Sequence, residues 1–511
     1  MKRFNISFVL FLSIILLPLP LSAQQRYHVG LCDWMVLKRQ KLGEFQLARE
    51  LGADGVELDM GGLGQRELFD NKLRDEAEAR HFKGVADSLG VAIGAVAMSG
   101  FYAQDLTKRD NYMQLAADCF DTMDRMGMSN GQWSMVNGQW PVAFLPLGGC
   151  GNDWATDKAK RAEVVRRLHD IGEEALRRGK RVGIDTPLDA KGNLRLLREV
   201  KSEGIAIFYK LQTAIELGLD IAKDMKALGA KNICAIHASN TDAHWLQDDP
   251  AIDLPLVKKT LDDMQWQGWL FVERSRDTTM VKNVKMNYGA NVRYLKNVLD
   301  IPYPAPQVAL DSAGRAPGYV ETILKRSQKV TDALGITYTV EGQNVYNIVA
   351  NRYFRLNDIY AERDSLKNSW SKEAKEFGGK AVKQLAEAQA DSKLYRSHFA
   401  LETDLSKYLT PEQIETVKDV MTFNVVKVTY DAQLDMIPTL KDEEKQQILA
   451  WLKEARELAI DAESSKKKHE VFGKYKGRIN NWLSKRGYDL VKEREAWYKR
   501  IEEAKKKQEG K

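Results

Sequence analysis

The sequence predicts an α/β fold, a (β/α)8 barrel followed by a separate all-α domain, and three observations lead to this prediction. From residue 27 to about residue 299, short apolar runs alternate with amphipathic helical stretches, which is typical of a parallel sheet covered by helices. The segment 301–306, IPYPAP, contains three prolines and excludes both helix and strand. Beyond it the sequence consists of long, highly charged helical stretches.

Eight apolar runs are the strand candidates of the barrel. Eight βα units in about 270 residues match the size of a (β/α)8 barrel. The runs are Tyr27–Cys32, Gly55–Leu58, Val91–Ala97, Val142–Leu145, Arg181–Ile184, Ile205–Tyr209, Ile233–Ile236 and Trp269–Val272.

A doubly wound sheet is the alternative fold, and glycine patterns argue against it. No strand candidate is followed by the GxGxxG turn of dinucleotide-binding sheets. The glycine-rich segments 61–64 and 148–151 depart from that pattern. We interpret them as tight strand-to-helix turns, with an anion cradle as the alternative.

Several helices are predicted from amphipathic spacing and capping residues. The segments Glu163–Arg178 and Ile215–Leu228 have helical periodicity. In the C-terminal half, Thr410-Pro411-Glu412-Gln413 has the form of a capping box with proline at the first helical position.

The N-terminus has the order of a secretory signal peptide. Basic residues at positions 2 and 3 precede a ten-residue apolar run, Phe8–Leu17, and cleavage is expected after Ala23. Ten apolar residues are too few to span a bilayer. The predicted organisation is therefore a signal peptide at 1–23, a barrel at 24–300, a proline-rich linker at 301–306 and a helical domain at 307–511. We expect an exported, periplasmic protein that is not membrane-bound after cleavage.

Charge and cysteine content exclude some classes of protein. The 77 Lys and Arg residues against 71 Asp and Glu give a net charge of +6, which is small for this length and indicates no strongly basic nucleic-acid surface. The four cysteines match no zinc or CxxC spacing. They are interpreted as small buried thiols.

Polar residues stand where the predicted strands end, which is where barrel enzymes place their functional groups. Consecutive strand ends offering an acid, an amine, an imidazole and a second acid form a set that an apolar core does not need. These are Asp185, Lys210, His237 and Glu273, with Glu57 and Asp59 at the second strand and Asp33 and Trp34 at the first.

Over residues 27–299 the sequence resembles the xylose-isomerase-like sugar phosphate isomerases and epimerases. The similarity is strongest in GADGVELD (52–59), KALGAKNICAIHASN (226–240) and IDLPLVKKTLDDMQWQGWLFVE (252–273). The resemblance implies a divalent metal, Mn, Mg or Zn, held by Glu, Asp, His and Glu from strands five to eight. It also implies proton transfer next to a carbonyl. Asp185, His237 and Glu273 then become the candidate metal ligands of this chain.

Lys210 stands where the family has a metal-binding aspartate. The family's two Glu, one Asp and neutral His carry −3, and a divalent ion brings the set to −1. Asp185, Lys210, neutral His237 and Glu273 already sum to −1. An ammonium cannot ligate a cation and repels one at close range. We therefore expect a metal-free or weakly metal-binding pocket in which Lys210 takes the place of the cation.

Two functions follow for such a pocket. The first is an exported enzyme acting by proton transfer on a sugar or keto-sugar, as an isomerase or epimerase or as a 3-keto-glycoside lyase or hydratase. Lys210, with its pKa lowered by desolvation, would polarise a carbonyl or act as a base, and Glu273 or Asp185 would move the proton. The alternative is a non-catalytic scaffold that binds a carbohydrate or a protein.

Further residues are candidates for binding the carbohydrate, each with a structural alternative. His237 and Glu57 end strands, where they serve equally as anchors of loops. Trp34 and His244 are predicted to line the mouth of the barrel, and packing within a loop is the alternative. Arg274 is a candidate for gripping an anionic sugar or for an ordinary ion pair.

Other partners are expected or excluded on similar grounds. Base-excision endonucleases share this barrel but need several metals, and of the five histidines in the barrel half only His237 ends a predicted strand. Nucleic acid is therefore not an expected ligand. The C-terminal half resembles an uncharacterised helical domain family of exported proteins. It has no cysteine, and we expect it to mediate homo-oligomerisation or docking of a partner protein.

Overall fold

The computed structural model describes residues 25–128, 140–151, 153–373 and 379–509, and it contains two compact units. One unit comprises the described residues up to Arg49, Ala53–Thr279 and Asn291–Tyr303. The other comprises Glu50–Gly52, Met280–Ala290 and the chain from Pro304 onward. The predicted signal peptide lies outside the described residues. Among those described, no helix combines the length and the apolar character needed to cross a membrane.

The first unit is a closed barrel of eight parallel strands in sequence order, as predicted. Pairing of β1 with β8 closes it. The strands are β1 Tyr27–Cys32, β2 Gly55–Asp59, β3 Ala92–Ala97, β4 Val142–Pro146, β5 Arg181–Asp185, β6 Ile205–Lys210, β7 Ile233–Ala238 and β8 Gly268–Val272.

Helices follow the strands and carry one apolar face each, which is the reason they cover the barrel. The helices that begin before residue 300 are Asp33–Val36, Gly43–Glu50, Glu76–Leu89, Tyr112–Arg125, Lys158–Arg177, Ala190–Val200, Leu211–Glu216, Ile221–Leu228, Leu254–Asp263 and Val284–Val298. The single helix predicted over Ile215–Leu228 is wrong. The chain turns at Gly218, whose φ is +65°, so two helices form there.

Large aromatic side chains fill the barrel, and glycines on other strands make room for them. The rings of Trp269 and Phe271 are stacked with centroids 5.4 Å apart. A Cβ atom at Gly30 would lie 2.5 Å from the Phe271 ring, and one at Gly94 would lie 2.5 Å from the Trp269 ring. Because packed interiors leave no free volume of that size, these strand positions accept only glycine.

The second unit is all-α, as predicted. Thr410 forms the predicted capping box with Gln413 at the start of one of its helices. Segment 301–306 is neither helix nor strand. The helices beyond it are Pro317–Leu334, Val340–Glu373, Gly379–His398, Ala400–Leu405, Pro411–Met421, Val425–Met436, Asp442–Ile460, Ser465–Lys485 and Leu490–Glu509.

Candidate functional site

The four polar residues predicted from consecutive strand ends lie at the C-terminal edge of the barrel. Asp185 and Lys210 are the last residues of β5 and β6. His237 is the penultimate residue of β7, and Glu273 directly follows β8. The register pairs Lys210 with His237 across β6 and β7. Parallel strands that end at one rim bring these side chains together because their carboxyl ends share that rim.

Lys210 forms an ion pair with Glu273 in the interior. Its Nζ lies 2.8 Å from Oε2 of Glu273 and 3.9 Å from Oδ2 of Asp185. The side chains of Lys210 and Glu273 are 9% and 2% exposed. Tyr102 accepts a hydrogen bond from Lys210 at 3.2 Å and donates one to Oε1 of Glu273 at 3.1 Å. The amine is therefore held by a carboxylate and a phenol, with a second carboxylate nearby.

These contacts set the protonation states of the group. Burial works to lower the pKa of Lys210, but Glu273 and Asp185 outweigh burial and raise it. Burial works to raise the pKa of Glu273, but His237 and Lys210 lower it below its ordinary value. Burial raises the pKa of Asp185 to about 6, against the pull of Lys210. The predicted lowering of the Lys210 pKa is wrong, because two carboxylates face the amine. Lys210 is an ammonium at neutral pH.

His237 is bound to the opposite side of the barrel. Its Nε2 lies 2.8 Å from Oε2 of Glu57 on β2, and both side chains are fully buried. Its Nδ1 lies 3.7 Å from Oε2 of Glu273. Burial works to lower the pKa of His237, but the two carboxylates raise it. The Cys32 thiol donates to Oε2 of Glu57 at 3.2 Å, and burial raises its pKa. His237 thus joins the Lys210 pair to a second polar group on β1 and β2.

The residues at strands five to eight do not fit the divalent metal that the resemblance implies. The Lys210 ammonium lies in direct contact with the carboxylate of Glu273. A metal cation between these strand ends would be repelled by the positive charge of that ammonium. The predicted ligand set of Asp185, His237 and Glu273 is not gathered around one point. Among the described residues, the three potential ligand atoms that lie within 4.8 Å of one another belong to Cys32, Glu57 and His237.

Several buried polar atoms around His237 have no hydrogen-bond partner in the described part of the chain. These are Nε1 of Trp34, Oε1 of Glu57 and Nδ1 of His237. The Trp34 ring meets the His237 ring edge-on, with centroids 6.4 Å apart. Buried polar groups are nearly always paired with protein, water or a ligand. The Trp34 N–H group is a donor and Glu57 Oε1 is an acceptor, so the two atoms are suited to hydrogen bonds with a hydroxyl-bearing ligand.

Two of the predicted carbohydrate-binding residues have other surroundings. Arg274 forms an ion pair with Asp242 at 3.1 Å, and Arg276 contacts the same carboxylate at 2.6 Å. The Arg274 side chain therefore forms an ordinary ion pair within a loop, which was the alternative to binding an anionic sugar. His244 is exposed on the loop after β7.

Asp33 and Asp59, also named from the strand ends, form a separate structural cluster. Asp33 accepts the backbone N–H groups of Gln40 at 3.1 Å and of Asp59 at 3.0 Å. Asp59 pairs with Arg39 at 2.8 Å. These contacts stabilise the turns that follow β1 and β2, so both acids have a structural role at the C-terminal edge of the barrel.

Tyr102 is the functional candidate that the sequence did not predict. It lies in a single 3-10 turn, Ser99–Tyr102, after β3, and burial raises its pKa well above the ordinary value. The phenol therefore remains a neutral donor beside Glu273. An aromatic residue bearing a hydroxyl shortly after a strand end was the available signal, in the segment MSGFY at 98–102.

Comparison with solved structures finds partial likenesses to sugar-related barrels. A xylose isomerase domain protein from Alicyclobacillus acidocaldarius is 14% identical, with a TM-score of 0.41 over 54% of this chain and 98% of that one. A xylose isomerase domain protein from Planctomyces limnophilus is 15% identical, with a TM-score of 0.39 over 54% of this chain and 96% of that one. The 3-keto-D-glucoside 4-epimerase of E. coli is 15% identical, with a TM-score of 0.38 over 53% of this chain and 98% of that one. No curated protein matches it.

Family models match both units of the chain. Residues 320–503 match the family described as a protein of unknown function, DUF3826. Residues 45–298 match the family described as xylose isomerase-like TIM barrel. The chain thus combines a xylose isomerase-like TIM barrel at residues 45–298 with a DUF3826 region at residues 320–503.

Proposed function

We propose that the barrel is an exported sugar isomerase or epimerase that moves a proton next to a carbonyl and uses Lys210 where the family resemblance implies a metal. The observation that carries this proposal is the buried Lys210 ammonium, 2.8 Å from Glu273 and 3.9 Å from Asp185. A fixed cation in a site of low dielectric stabilises negative charge as it develops on a carbonyl oxygen.

The roles of the side chains follow from their protonation states. The Lys210 ammonium donates a hydrogen bond to the carbonyl oxygen of a keto-sugar. The Asp185 carboxylate, with its pKa of about 6, is matched to removing a proton near neutral pH. Glu273, whose pKa is lowered, is a weaker base and holds Lys210 in place. Tyr102 positions the same pair.

The reaction balances without an external oxidant or metal. Asp185 takes the proton from the carbon next to the carbonyl, and the C–H electron pair forms an enediolate whose oxygen is paired with Lys210. Isomerisation follows when Asp185 returns the proton to the former carbonyl carbon and the proton of the adjacent hydroxyl moves to the former carbonyl oxygen. Delivery of a proton to the opposite face of the original carbon, with Asp185 releasing its own proton to solvent, gives the epimer. From a 3-keto-glycoside, the same enediolate re-forms the carbonyl and breaks the C–O bond to the leaving group on the next carbon, and Asp185 gives its proton to the departing oxygen, which is the lyase reaction.

Deuterium exchange tests this proposal. A panel of ketoses and a 3-keto-glucoside is incubated in D2O with a chelator, and proton NMR follows deuterium uptake at the carbon next to the carbonyl. We expect uptake with the wild type and its loss with Lys210→Met or Asp185→Asn. Lys226→Met is the matched control, because Lys226 is 50% exposed on an outer helix. A sugar that binds without any exchange would favour the non-catalytic scaffold instead.

A further inference from the structure

The helical unit contains a cavity of its own, about 530 Å³ in volume. Its walls come from the helices Pro317–Leu334 and Val340–Glu373, from the end of Pro411–Met421 and from the start of Ser465–Lys485. Ligand sites of small molecules occupy about 300 to 1,000 Å³, so the space is large enough for one or two sugar rings.

Lys468 lies buried in the wall of this cavity, with 5% of its surface exposed. Its Nζ donates to the carbonyl oxygens of Met421 at 3.0 Å and Ile460 at 3.1 Å, the last residues of two helices. Two of the three N–H groups of the ammonium are thus used by the protein. Burial lowers the pKa of Lys468 to about 8, and the group remains mostly charged at neutral pH.

The charges around the cavity leave an excess of cations. Both lining acids, Asp364 and Glu463, contact Arg363 at 2.7 and 3.1 Å. Arg326 and Lys329 also line the cavity, and neither has an acidic ion-pair partner among the described residues. Arg363 offsets only one of the two acids, but the four cations Lys468, Arg326, Lys329 and Arg363 against two carboxylates still leave a net charge of +2, which attracts an anion.

Aromatic rings and small polar groups line the same space. The rings are those of Tyr319, Tyr353, Tyr360 and Phe423, and the polar groups include Asn357 and Ser464. Aromatic side chains with a polar tip suit ligands that have an apolar face and polar groups at their edge. A sugar ring combines an apolar face with hydroxyl groups at its edge.

We propose that this cavity binds a sugar that carries one anionic group, a carboxylate or a phosphate. The anionic group lies between Arg326 and Lys468, and the sugar ring packs on Tyr353. Tyr353 lies within reach of both cations, with its ring centroid 5.4 Å from Nζ of Lys468 and 5.7 Å from the guanidinium carbon of Arg326. This inference does not rest on the reaction proposed for the barrel.

Titration calorimetry on the full chain tests the site with four probes. D-galacturonate and D-galactose 6-phosphate carry the anion on a sugar, D-galactose lacks the anion, and benzoate lacks the hydroxyl groups. We expect binding of one or both anionic sugars and at least tenfold weaker binding of D-galactose and of benzoate. The member of the anionic pair that binds more tightly identifies the anion. Failure of both anionic sugars, or equal binding of D-galactose or benzoate, would overturn the proposal.

Variants place the ligand in the helical unit. Arg326→Gln is expected to weaken binding about tenfold or more, the usual loss for a charged hydrogen bond. Lys325→Gln is the matched control, because it removes the same charge from the same helix outside the cavity. Lys468→Met is expected to abolish binding while far-UV circular dichroism stays unchanged. Asp185→Asn is expected to leave binding of the anionic sugar unchanged, which would show that the ligand does not bind at the barrel site. Unchanged affinity in Arg326→Gln would overturn the proposal even where Lys468→Met misfolds.

Discussion

Removal of the Lys210 ammonium is expected to destabilise the barrel through the carboxylate that it leaves behind. At 2.8 Å and an effective dielectric constant of about 20, two unit charges attract by about 6 kcal/mol. Much of that attraction offsets the cost of burying both groups. Loss of one partner of a buried pair costs about 3 to 5 kcal/mol, and we expect Lys210→Met to fall in this range at pH 7.

Removal of the second charge is expected to recover much of that loss. In Lys210→Met the Glu273 carboxylate is buried without the ammonium that lies 2.8 Å from it, whereas in Lys210→Met/Glu273→Gln that carboxylate charge is gone as well. The double variant is therefore expected to be more stable than Lys210→Met alone, with a coupling energy of at least about 2 kcal/mol.

The pH dependence of Lys210→Met gives an independent check of its cause. Without Lys210, only His237 and Tyr102 oppose the burial that works to raise the pKa of Glu273, and we expect this pKa to exceed its value in the unfolded chain. The folded state then binds more protons than the unfolded state, and stability falls as the pH rises through the acid range. The deficit of the variant is therefore expected to be smaller at pH 4 than at pH 7.

Hydrogen exchange of peptides from β6 and β8 at increasing urea concentrations measures these differences in the barrel unit by itself. Lys226→Met is again the control and is expected to change stability by less than about 0.5 kcal/mol. If Lys210→Met were as stable as the wild type, or if the double variant lost the sum of the two single losses, the ion pair would not have the assigned role.

Three further predictions concern neighbouring groups. The pKa of Asp185 is about 6 when folded and about 3.9 when unfolded, so the folded state holds the proton more tightly. Between pH 4 and pH 7 the wild type should therefore lose about 2 kcal/mol of unfolding free energy relative to Asp185→Asn, and an equal pH dependence of the two unfolding free energies would contradict this. Glu57→Gln removes a carboxylate 2.8 Å from His237; NMR titration should show a lower imidazole pKa, and an unchanged pKa would exclude the contact. Gly149→Ala would place a Cβ atom 2.1 Å from a backbone oxygen and should cost about 1 to 3 kcal/mol, whereas Gly84→Ala, with open space around it, should cost nothing.

The barrel was predictable because strands buried on both faces leave continuous apolar runs. All eight strands form where those runs lie, and four of them extend by one residue so that Asp59, Pro146, Asp185 and Lys210 end them. The same regularity placed the polar set at one rim. The break at Gly218 was missed because a glycine within a helical pattern is often tolerated.

Pairing within the site was not predictable in the same way. His237 reaches Glu57 across the barrel, 180 residues earlier in the chain, and no local pattern records such a contact. The Lys210 pKa depends on a balance between burial and two carboxylates, which only distances decide. Lys468 lies in a run of charged residues, SSKKKHE, that looks like a solvated helix face. The fold buries one lysine of that run.

Metal content measures the central claim most directly, namely that Lys210 takes the place of the cation. Wild type and Lys210→Asp are purified without chelator, supplied with Mn, Mg and Zn, desalted and analysed by elemental mass spectrometry. Lys210→Asp removes the ammonium and adds a carboxylate, so the account predicts much less metal in the wild type than in this variant. About one tightly held ion per wild-type chain, bound at strands five to eight and lost with Glu273→Gln, would contradict it.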